Sequence, residues 1–229
     1  PVEVLSTVMK SHQRYIPLLK KNKKLSKLEL TSHEYLSTYF FVLSNGLIKS
    51  KIIIAKGNEK VLKARFSDAK FFVESDKEIS SQKRNEKLKA VNYFKGMGNV
   101  FQKVERIQLI AEKILKNLNN CSIDRDKIID SAKYCKNDLC SEIVFEFPEL
   151  QGIMGTFYAI EAGFESDIAD VCKDHYAPLG PSDEVPKSPL SIVVALADKI
   201  ETLTSFWSIN EKPTGSKDPF ALRRNALGL

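Results

Sequence analysis

The feature that most constrains the fold is a helical spacing of apolar residues, which recurs along most of the chain beyond residue 80. It is clearest in NVFQKVERIQLIAEKILKNL, residues 99–118, where Asn99 can cap a helix and Gln102 can reach back to the cap. A broad apolar stripe follows on one face: Val100, Val104, Ile107, Ile110, Ala111, Ile114 and Leu118. The spacing predicts a core helix of a helical domain.

Further helices are predicted on the same grounds. Asp124 or Ser122 can open a helix that continues as far as Pro148. Helical spacing then recurs in ELQGIMGTFYAIEAG, ESDIADVCKDHY and LSIVVALADKIETLTSF, the last of which follows a proline-rich loop. Asp218 and Pro219 are predicted to start the helix FALRRNALGL, because Asp caps well and Pro suits the first turn.

The N-terminal region mixes helical and strand patterns. VEVLSTVMKSHQRY has helical spacing, whereas TYFFVLS and SKIIIAKG are short apolar runs separated by Asn45-Gly46, which predicts a β-hairpin. A helix is predicted after Asn58, and the polar stretch DKEISSQKRNEK is the predicted boundary. The expected fold is mainly α with an N-terminal α+β segment, divided into an α+β module at 1–75, a linker at 76–82 and a helical domain at 83–229.

Several protein classes are disfavoured by composition. No stretch approaches the roughly 20 apolar residues that span a bilayer, and PVEVLSTVMK is unlike a signal peptide, so a cytoplasmic location without membrane contact is expected. The four cysteines, at positions 121, 135, 140 and 172, form neither a CxxC pair nor a Cys/His ligand series. Buried thiols are therefore expected rather than zinc or disulfides. His175 ends a predicted helix, where it can stabilise the terminal carbonyl groups.

The charge is divided unevenly along the chain. Residues 1–120 carry 24 Lys and Arg against 11 Asp and Glu, or +13, whereas residues 121–229 carry 11 against 18, or −7. A strongly basic region favours association with a polyanion, because each neutralised phosphate releases condensed counterions. Nucleic acid is the natural candidate, although a lysine run such as that at 20–27, taken alone, is more often a solvated loop.

Five strings resemble those of glycyl-tRNA synthetase beta subunits and occur in that family's order: VMKSHQRY, GNEKVLKARFSDAKFF, FEFPELQGIMGTFYA, LADKIETL and PTGSKDPFALRRNALG. The resemblance implies an internal piece of a beta subunit that binds tRNA-Gly and supports assembly with the alpha subunit, in a holoenzyme of two alpha and two beta chains. It also implies that ATP and Mg act on the alpha subunit, so no cofactor or metal is expected in this chain. The implied activity is glycine–tRNA ligation by the assembled enzyme, with no catalytic residue here.

The resemblance also implies a fold in two parts. Residues 1–75 resemble the end of a tRNA-binding module found in phenylalanyl-tRNA synthetase, and the helical part resembles an HD domain of metal-dependent phosphohydrolases. The metal site of that domain is expected to be degenerate: Asn137 stands where a histidine belongs, beside Asp138, and Asp198 matches the distant aspartate. Asp138 and Asp198 are either relics of a metal site or structural hydrogen-bond acceptors. Phosphohydrolase activity and pure scaffolding remain alternatives.

Contact with tRNA requires cations that reach phosphate groups and planar groups that stack on bases. The candidates for tRNA contact are Lys10, His12, Arg14, Lys63, Arg65, Lys217, Arg223 and Arg224. The two adjacent arginines point about 100° apart on a helix, so at most one is expected to face RNA.

Overall fold

The computed structural model describes residues 1–11, 13–20, 36–118, 123–180 and 182–229, and it is mostly helical with short strands. The elements in chain order are α1 (Val2–Ser11), β1 (Ile16–Leu19), β2 (Leu36–Phe41), α2 (Lys51–Lys77), α3 (Ser81–Lys87), β3 (Asn92–Phe94), β4 (Gly98–Asn99), α4 (Val100–Asn117), α5 (Arg125–Tyr134), α6 (Glu142–Glu146), α7 (Ile153–Glu161), α8 (Ser166–Asp174), α9 (Pro189–Ser208) and α10 (Leu222–Leu227). The predicted mainly α fold with an N-terminal α+β segment is confirmed.

The described residues form two compact units. Unit 1 comprises Pro1–Glu78 and Glu142–Leu150, and unit 2 comprises Ile79–Ser141 and Gln151–Leu229. Within the described residues, no helix combines the length and apolar character needed to cross a membrane.

Unit 1 combines α1, a two-stranded sheet and the long helix α2. In the sheet, β1 and β2 pair antiparallel, with Ile16 opposite Phe41 and Pro17 opposite Phe40. The predicted helix near the N-terminus is confirmed, and α1 buries four apolar side chains: Val2, Val4, Val8 and Met9. Their spacing places them on one side of the helix, which supplies part of the unit's core.

The hairpin predicted around Asn45-Gly46 is wrong. Strand β2 ends at Phe41, and most of SKIIIAKG forms the first turns of α2. Asn58 lies inside this helix: its side chain donates to the Ile54 carbonyl at 2.8 Å and accepts a hydrogen bond from Tyr15 Oη at 2.5 Å. A short apolar run does not distinguish strand from helix by its spacing, so tertiary packing decides.

Residues 142–150 pack with unit 1, whereas the predicted division placed them in the helical domain. Helix α2 buries Leu62 and Ala69 on the same face as Asp76. The Asp76 carboxylate accepts hydrogen bonds from the backbone N–H groups of Glu142 (3.0 Å) and Ile143 (3.2 Å) at the start of α6. A carboxylate is favourable there because the first N–H groups of a helix lack intrahelical partners.

Unit 2 has a helical core formed by α4, α5, α8 and α9. The capping box predicted for α4 is confirmed: Asn99 Oδ1 accepts from the Gln102 N–H at 2.9 Å, and Gln102 Oε1 accepts from the Asn99 N–H at 3.1 Å. Asp124 caps α5 through the N–H of Asp126, as predicted. The core side chains with no more than 2% exposure are Ile107, Ala111, Ile128, Ala132, Cys135, Val171, Val193, Val194 and Ala197.

Two helix boundaries differ from prediction. Helix α5 ends at Tyr134 and does not continue to Pro148, because the chain turns at residues 135–141 and begins α6 only at Glu142. The N-cap residue of α10 is Ala221, not Asp218 as predicted, although the Asp218 carboxylate accepts from the N–H groups of Leu222 (2.8 Å) and Arg223 (2.9 Å). The helix nevertheless starts three residues after Pro219, because Ala221 has the left-handed φ of 53°.

The cysteines in the described residues are free thiols, as predicted. Cys135 and Cys172 are buried and Cys140 is half-buried, while position 121 lies outside the described residues. Burial raises the pKa of Cys135 to about 12, so this thiol stays protonated and packs as a small apolar side chain.

Candidate functional sites

The basic candidates of unit 1 are largely on its surface. Lys10, Arg14 and Lys63 are exposed, whereas Arg65 is half-buried and its guanidinium lies 3.4 Å from a carboxylate oxygen of Glu146. His12 lies outside the described residues, as does most of the lysine run. Exposed cations can reach phosphate groups, but an arginine paired with a carboxylate first has to give up that partner.

Lys63 also lines a shallow pocket of about 370 Å³ in unit 1. The pocket combines two aromatic rings, Phe40 and Phe66, with a second cation, Lys70, and one acidic side chain, Glu59. A cation beside an aromatic wall is an arrangement that suits an unpaired nucleotide, because the ring stacks on the base and the cation attracts the phosphate.

The basic candidates of unit 2 lie near the C-terminal end of the described chain. Lys217 is exposed in a turn closed by backbone hydrogen bonds with Thr214. Arg223 is exposed at the start of α10, and Arg224 donates from its guanidinium to the Leu179 carbonyl at 3.3 Å. The two arginines thus differ in their surroundings; contact of either with RNA stays a prediction.

Asn137 and Asp138 are structural hydrogen-bonding groups. The Asn137 amide donates to the Ser81 carbonyl at 2.9 Å. Asp138 is fully buried, and its Oδ2 accepts from the N–H groups of Gly152 (2.5 Å) and Gly155 (3.1 Å). Burial raises the pKa of Asp138 to about 6, although the two N–H donors oppose that rise.

The hydrogen bonds from Gly152 and Gly155 to Asp138 explain the two glycines of LQGIMG. Gly152 has a φ of 79°, a conformation that glycine adopts readily. A Cβ on Gly155 would lie 2.8 Å from Cys172 Cβ and 3.2 Å from Asp138 Cγ, so a larger residue would disturb the approach of α7 to the Asp138 carboxylate.

Asp198 lies between two buried lysines. Lys136 Nζ donates to Oδ2 at 2.8 Å, and Lys103 Nζ forms an ion pair with Oδ1 at 3.1 Å. Burial alone would raise the pKa of Asp198, but the two ammonium groups outweigh it and hold the pKa below its usual range. Burial alone would lower the pKa of Lys136, yet the negative charge of Asp198 holds it above its usual range.

His175 contacts the ammonium group of Lys136. Its Nδ1 lies 2.7 Å from the Val171 carbonyl, which can only accept, so Nδ1 carries the proton; this confirms the predicted contact with the end of a helix. Nε2 then accepts from Lys136 Nζ at 2.8 Å. Burial, followed by the charge of Lys136, lowers the pKa of His175 to about 3, so the ring is neutral.

A second carboxylate completes this buried ionic centre. Glu201, one turn after Asp198 on α9, is 1% exposed and accepts from Lys103 Nζ at 2.6 Å. Its other oxygen accepts from Arg106 Nε at 2.8 Å and from Ser205 Oγ at 2.7 Å. We call the set Lys103, Arg106, Lys136, His175, Asp198 and Glu201 the ionic centre of unit 2.

The sequence interpretation missed most of the ionic centre. A signal was present: Lys103 follows Val100 by three residues and Ile107 follows Lys103 by four, so a lysine occupies a position of the apolar stripe. Asp198 and Glu201 likewise lie three residues apart on one face of α9. A charged residue on a buried face requires an opposite charge within the same core.

The residues of unit 2 do not fit a bound metal ion. In the described part of the chain, no three His, Cys, Asp or Glu side chains are grouped so that they could hold one. The place where Asp198 and His175 converge contains the ammonium group of Lys136 instead. Asp138 accepts from α7 and is not part of this convergence.

Comparison with known proteins defines the family. The whole chain, residues 1–229, matches the family model described as "Glycyl-tRNA synthetase beta subunit", and the chain belongs to this family. Three relatives are each named "Glycine–tRNA ligase beta subunit": that of Dinoroseobacter shibae is 46% identical, that of Ruegeria sp. (strain TM1040) 44% and that of Trichlorobacter lovleyi 38%. All of this chain is covered in each case, but only 30%, 32% and 31% of the relatives. The chain thus spans about a third of the length of these relatives.

Proposed function

We propose that the chain works within the beta subunit of a glycine–tRNA ligase, where it supports tRNA-Gly binding and subunit assembly for ATP-dependent glycylation of tRNA. The observation that carries this proposal is the family match over residues 1–229, together with 38–46% identity to named beta subunits over the whole chain. In this proposal ATP and Mg act on the alpha subunit, the enzyme contains two alpha and two beta chains, and it works in the cytoplasm.

Within this proposal, the exposed cations contact tRNA phosphates and the pocket beside Lys63 receives an unpaired nucleotide. The pocket supports this role because Phe40 and Phe66 offer ring faces next to Lys63 and Lys70. Lys10 and Arg14 extend the basic surface of unit 1, and the exposed candidates of unit 2 are Lys217, Arg223 and Arg224. Arg65 is assigned a supporting part, because its guanidinium is already paired with Glu146.

Unit 2 is proposed to be an HD-like helical domain with a degenerate metal site. Support comes from Asp198 on the long helix α9 and from Asp138 after α5, each of which bonds to protein groups. A phosphohydrolase reaction is not favoured, since the carboxylate and the imidazole that converge are both bonded to Lys136. A structural role for unit 2 follows from this arrangement.

A titration of labelled tRNA-Gly against the purified chain at several salt concentrations tests direct binding. Each phosphate contact contributes about 0.9 to the slope of log affinity against log salt on duplex and about 0.7 on single strands. We expect Lys10→Ala/Lys63→Ala to weaken binding and to reduce the slope by about 1–2. The matched control is Lys113→Ala/Lys173→Ala, two exposed lysines in unit 2 that are not candidates.

Two results would contradict direct recognition by this chain. One is undetectable binding even at low salt; the other is equal affinity for tRNA-Gly and a random RNA of the same length. Retained assembly with the alpha subunit in either case would leave scaffolding as the function of this region.

A further inference from the structure

We propose that the ammonium groups of Lys103 and Lys136 together take the structural place of a divalent metal ion in unit 2. They lie on opposite oxygens of Asp198, inside a core formed by four helices. This inference goes beyond the proposed function, because it concerns how unit 2 is held together and holds whether or not the chain binds tRNA.

The position of Lys136 is the first support. Its Nζ lies 2.8 Å from Asp198 Oδ2 and 2.8 Å from His175 Nε2, and these two acceptor atoms are 3.9 Å apart. A carboxylate oxygen and an imidazole nitrogen aimed at one point are typical of a metal's ligands. Metal bonds to such atoms measure about 2.0–2.2 Å, however, whereas 2.8 Å is the distance of a charge-assisted N–H donor. The space therefore fits an ammonium group.

The orientation of His175 is the second support. Metal-binding histidines usually donate their other ring N–H to a carbonyl or carboxylate, which fixes the tautomer and aims the lone pair at the metal. His175 is fixed in this way by the Val171 carbonyl at 2.7 Å, and its lone pair on Nε2 is aimed at Lys136. The ammonium group thus receives the contact that a metal ion would otherwise receive.

The total charge is the third support. Lys103 brings a second positive charge to the free side of Asp198, so the two ammonium groups together carry the charge of a divalent ion. The protons of Lys103 are donated to Glu201 Oε2 (2.6 Å), Thr202 Oγ1 (2.7 Å) and Tyr93 Oη (3.1 Å), which leaves the contact with Asp198 purely ionic. Both lysines are nearly fully buried, so this charge is not screened by solvent.

The four helices of the core meet at this centre. Lys103 is on α4, Lys136 follows α5, His175 follows α8, and Asp198 is on α9. A bound metal would connect these elements only while it stayed bound, whereas side-chain cations connect them whenever the unit is folded. A metal ion at the point between Asp198 Oδ2 and His175 Nε2 would have to displace the ammonium group of Lys136 before it could bind.

A double-mutant cycle of Lys136→Met and Asp198→Asn tests the proposal by thermal unfolding of the purified chain. Methionine keeps most of the side-chain volume but removes the charge. We expect Lys136→Met to lower Tm by on the order of 10 °C, because one partner of a buried ion pair is removed, and by less than half as much when Asp198→Asn is already present. The exposed control, Lys173→Met in α8, should change Tm by about 2 °C or less.

Equal losses of Tm in the two backgrounds would overturn the proposal, because they would show that the lysine stem only fills space. If Lys136→Met alone does not fold, folding of the double variant supports the proposal and its failure overturns it. A Co²⁺ titration gives an independent readout. Because the lysines occupy the metal's place, Co²⁺ mixed with the wild type should show the same visible absorption as Co²⁺ mixed with Asp198→Asn. Tetrahedral Co²⁺ bands present only in the wild type would show that a metal displaces the lysines.

Discussion

Two pairs of lysines, one pair in each unit, have opposite roles. In unit 1, Lys10 and Lys63 are exposed and available to an external anion, whereas in unit 2 Lys103 and Lys136 are 5% and 4% exposed and bind carboxylates of their own chain. Burial makes the difference, because an exposed ammonium group is hydrated and screened, while a buried one requires a fixed partner. The comparison teaches that net charge alone does not identify which cations can contact RNA.

The two units also differ in what their buried side chains connect. Large apolar residues are exposed in both units, among them Leu43 (80%) in unit 1 and Leu227 (89%) in unit 2. Unit 2 nevertheless has a buried apolar cluster shared by four helices, and its ionic centre joins the same helices. Substitutions in unit 2 should therefore cost more stability than similar substitutions in unit 1.

The largest effect that we expect is from Lys103→Met. The substitution leaves Glu201 and Asp198 with fewer cations in a buried site, so the free energy of unfolding should fall by about 3–5 kcal/mol. Lys113→Met, at an exposed position of the same helix, should change it by at most about 0.5 kcal/mol. Urea unfolding followed by circular dichroism measures both. Equal costs would remove the distinction between buried and exposed lysines.

The next effect concerns pH. The pKa of His175 is about 3 in the folded chain, below the value of about 6.5 in an unfolded chain. Between these values the unfolded state binds a proton that the folded state does not, so stability is full above pH 6.5 and is lost as pH falls. From pH 6.5 to 4.5 the loss due to this group should approach about 2–3 kcal/mol.

Other groups titrate near His175, so the measurement compares the wild type with His175→Gln. Lys136, Asp198 and Lys199 are the charged groups that face the ring. Asp138, whose pKa is raised to about 6 chiefly by burial, has the opposite pH dependence and is common to both proteins. The wild type should lose stability more steeply than His175→Gln over this pH range. Parallel curves would show that His175 is not kept neutral by its surroundings.

A smaller effect is expected from Gly155→Ala. The added methyl group would lie 2.8 Å from Cys172 Cβ, so the free energy of unfolding should fall by about 1–3 kcal/mol. Gly180→Ala is the control, since an added Cβ there meets no atom within 4 Å. An unchanged urea midpoint for Gly155→Ala would mean that α7 can shift away from Asp138 without cost.

Helical spacing predicted most of unit 2 because its main helices have apolar faces, and because α4 and α5 are also capped by side chains next to them in the sequence. The capping box at Asn99 is the clearest case, since both of its hydrogen bonds are formed within four residues of sequence. The N-terminal part of α2 was not predicted, because IIIAKG favours a strand locally and becomes helical through contacts such as Tyr15 with Asn58, 43 residues apart. A local sequence pattern carries no information about contacts between residues so far apart.

The candidate site was predicted only in part, because its contacts also join residues that are far apart in the sequence. Asp198 was identified as either a relic of a metal site or a structural hydrogen-bond acceptor, but its partners Lys103 and Lys136 are 95 and 62 residues away in the chain. The resemblance directed attention to Asn137 as the altered ligand position. In the structure, the cation that contacts Asp198 belongs to the preceding residue, Lys136, whereas Asn137 donates to the Ser81 carbonyl. A pairing between distant residues is fixed by the packing of helices, which spacing within one segment does not reveal.

The smallest effect should be a gain in unit 1 from Gly57→Ala. Gly57 is inside α2, and an added Cβ would meet no atom within 4 Å, so alanine should stabilise the helix by about 0.5–1 kcal/mol through its lower backbone entropy. Ala64→Gly, at an exposed position of the same helix, should cost about as much. Hydrogen exchange of the α2 amides measures both changes. Lower protection in Gly57→Ala would show that unit 1 is as tightly constrained as unit 2, because only a restricted site would penalise one added methyl group.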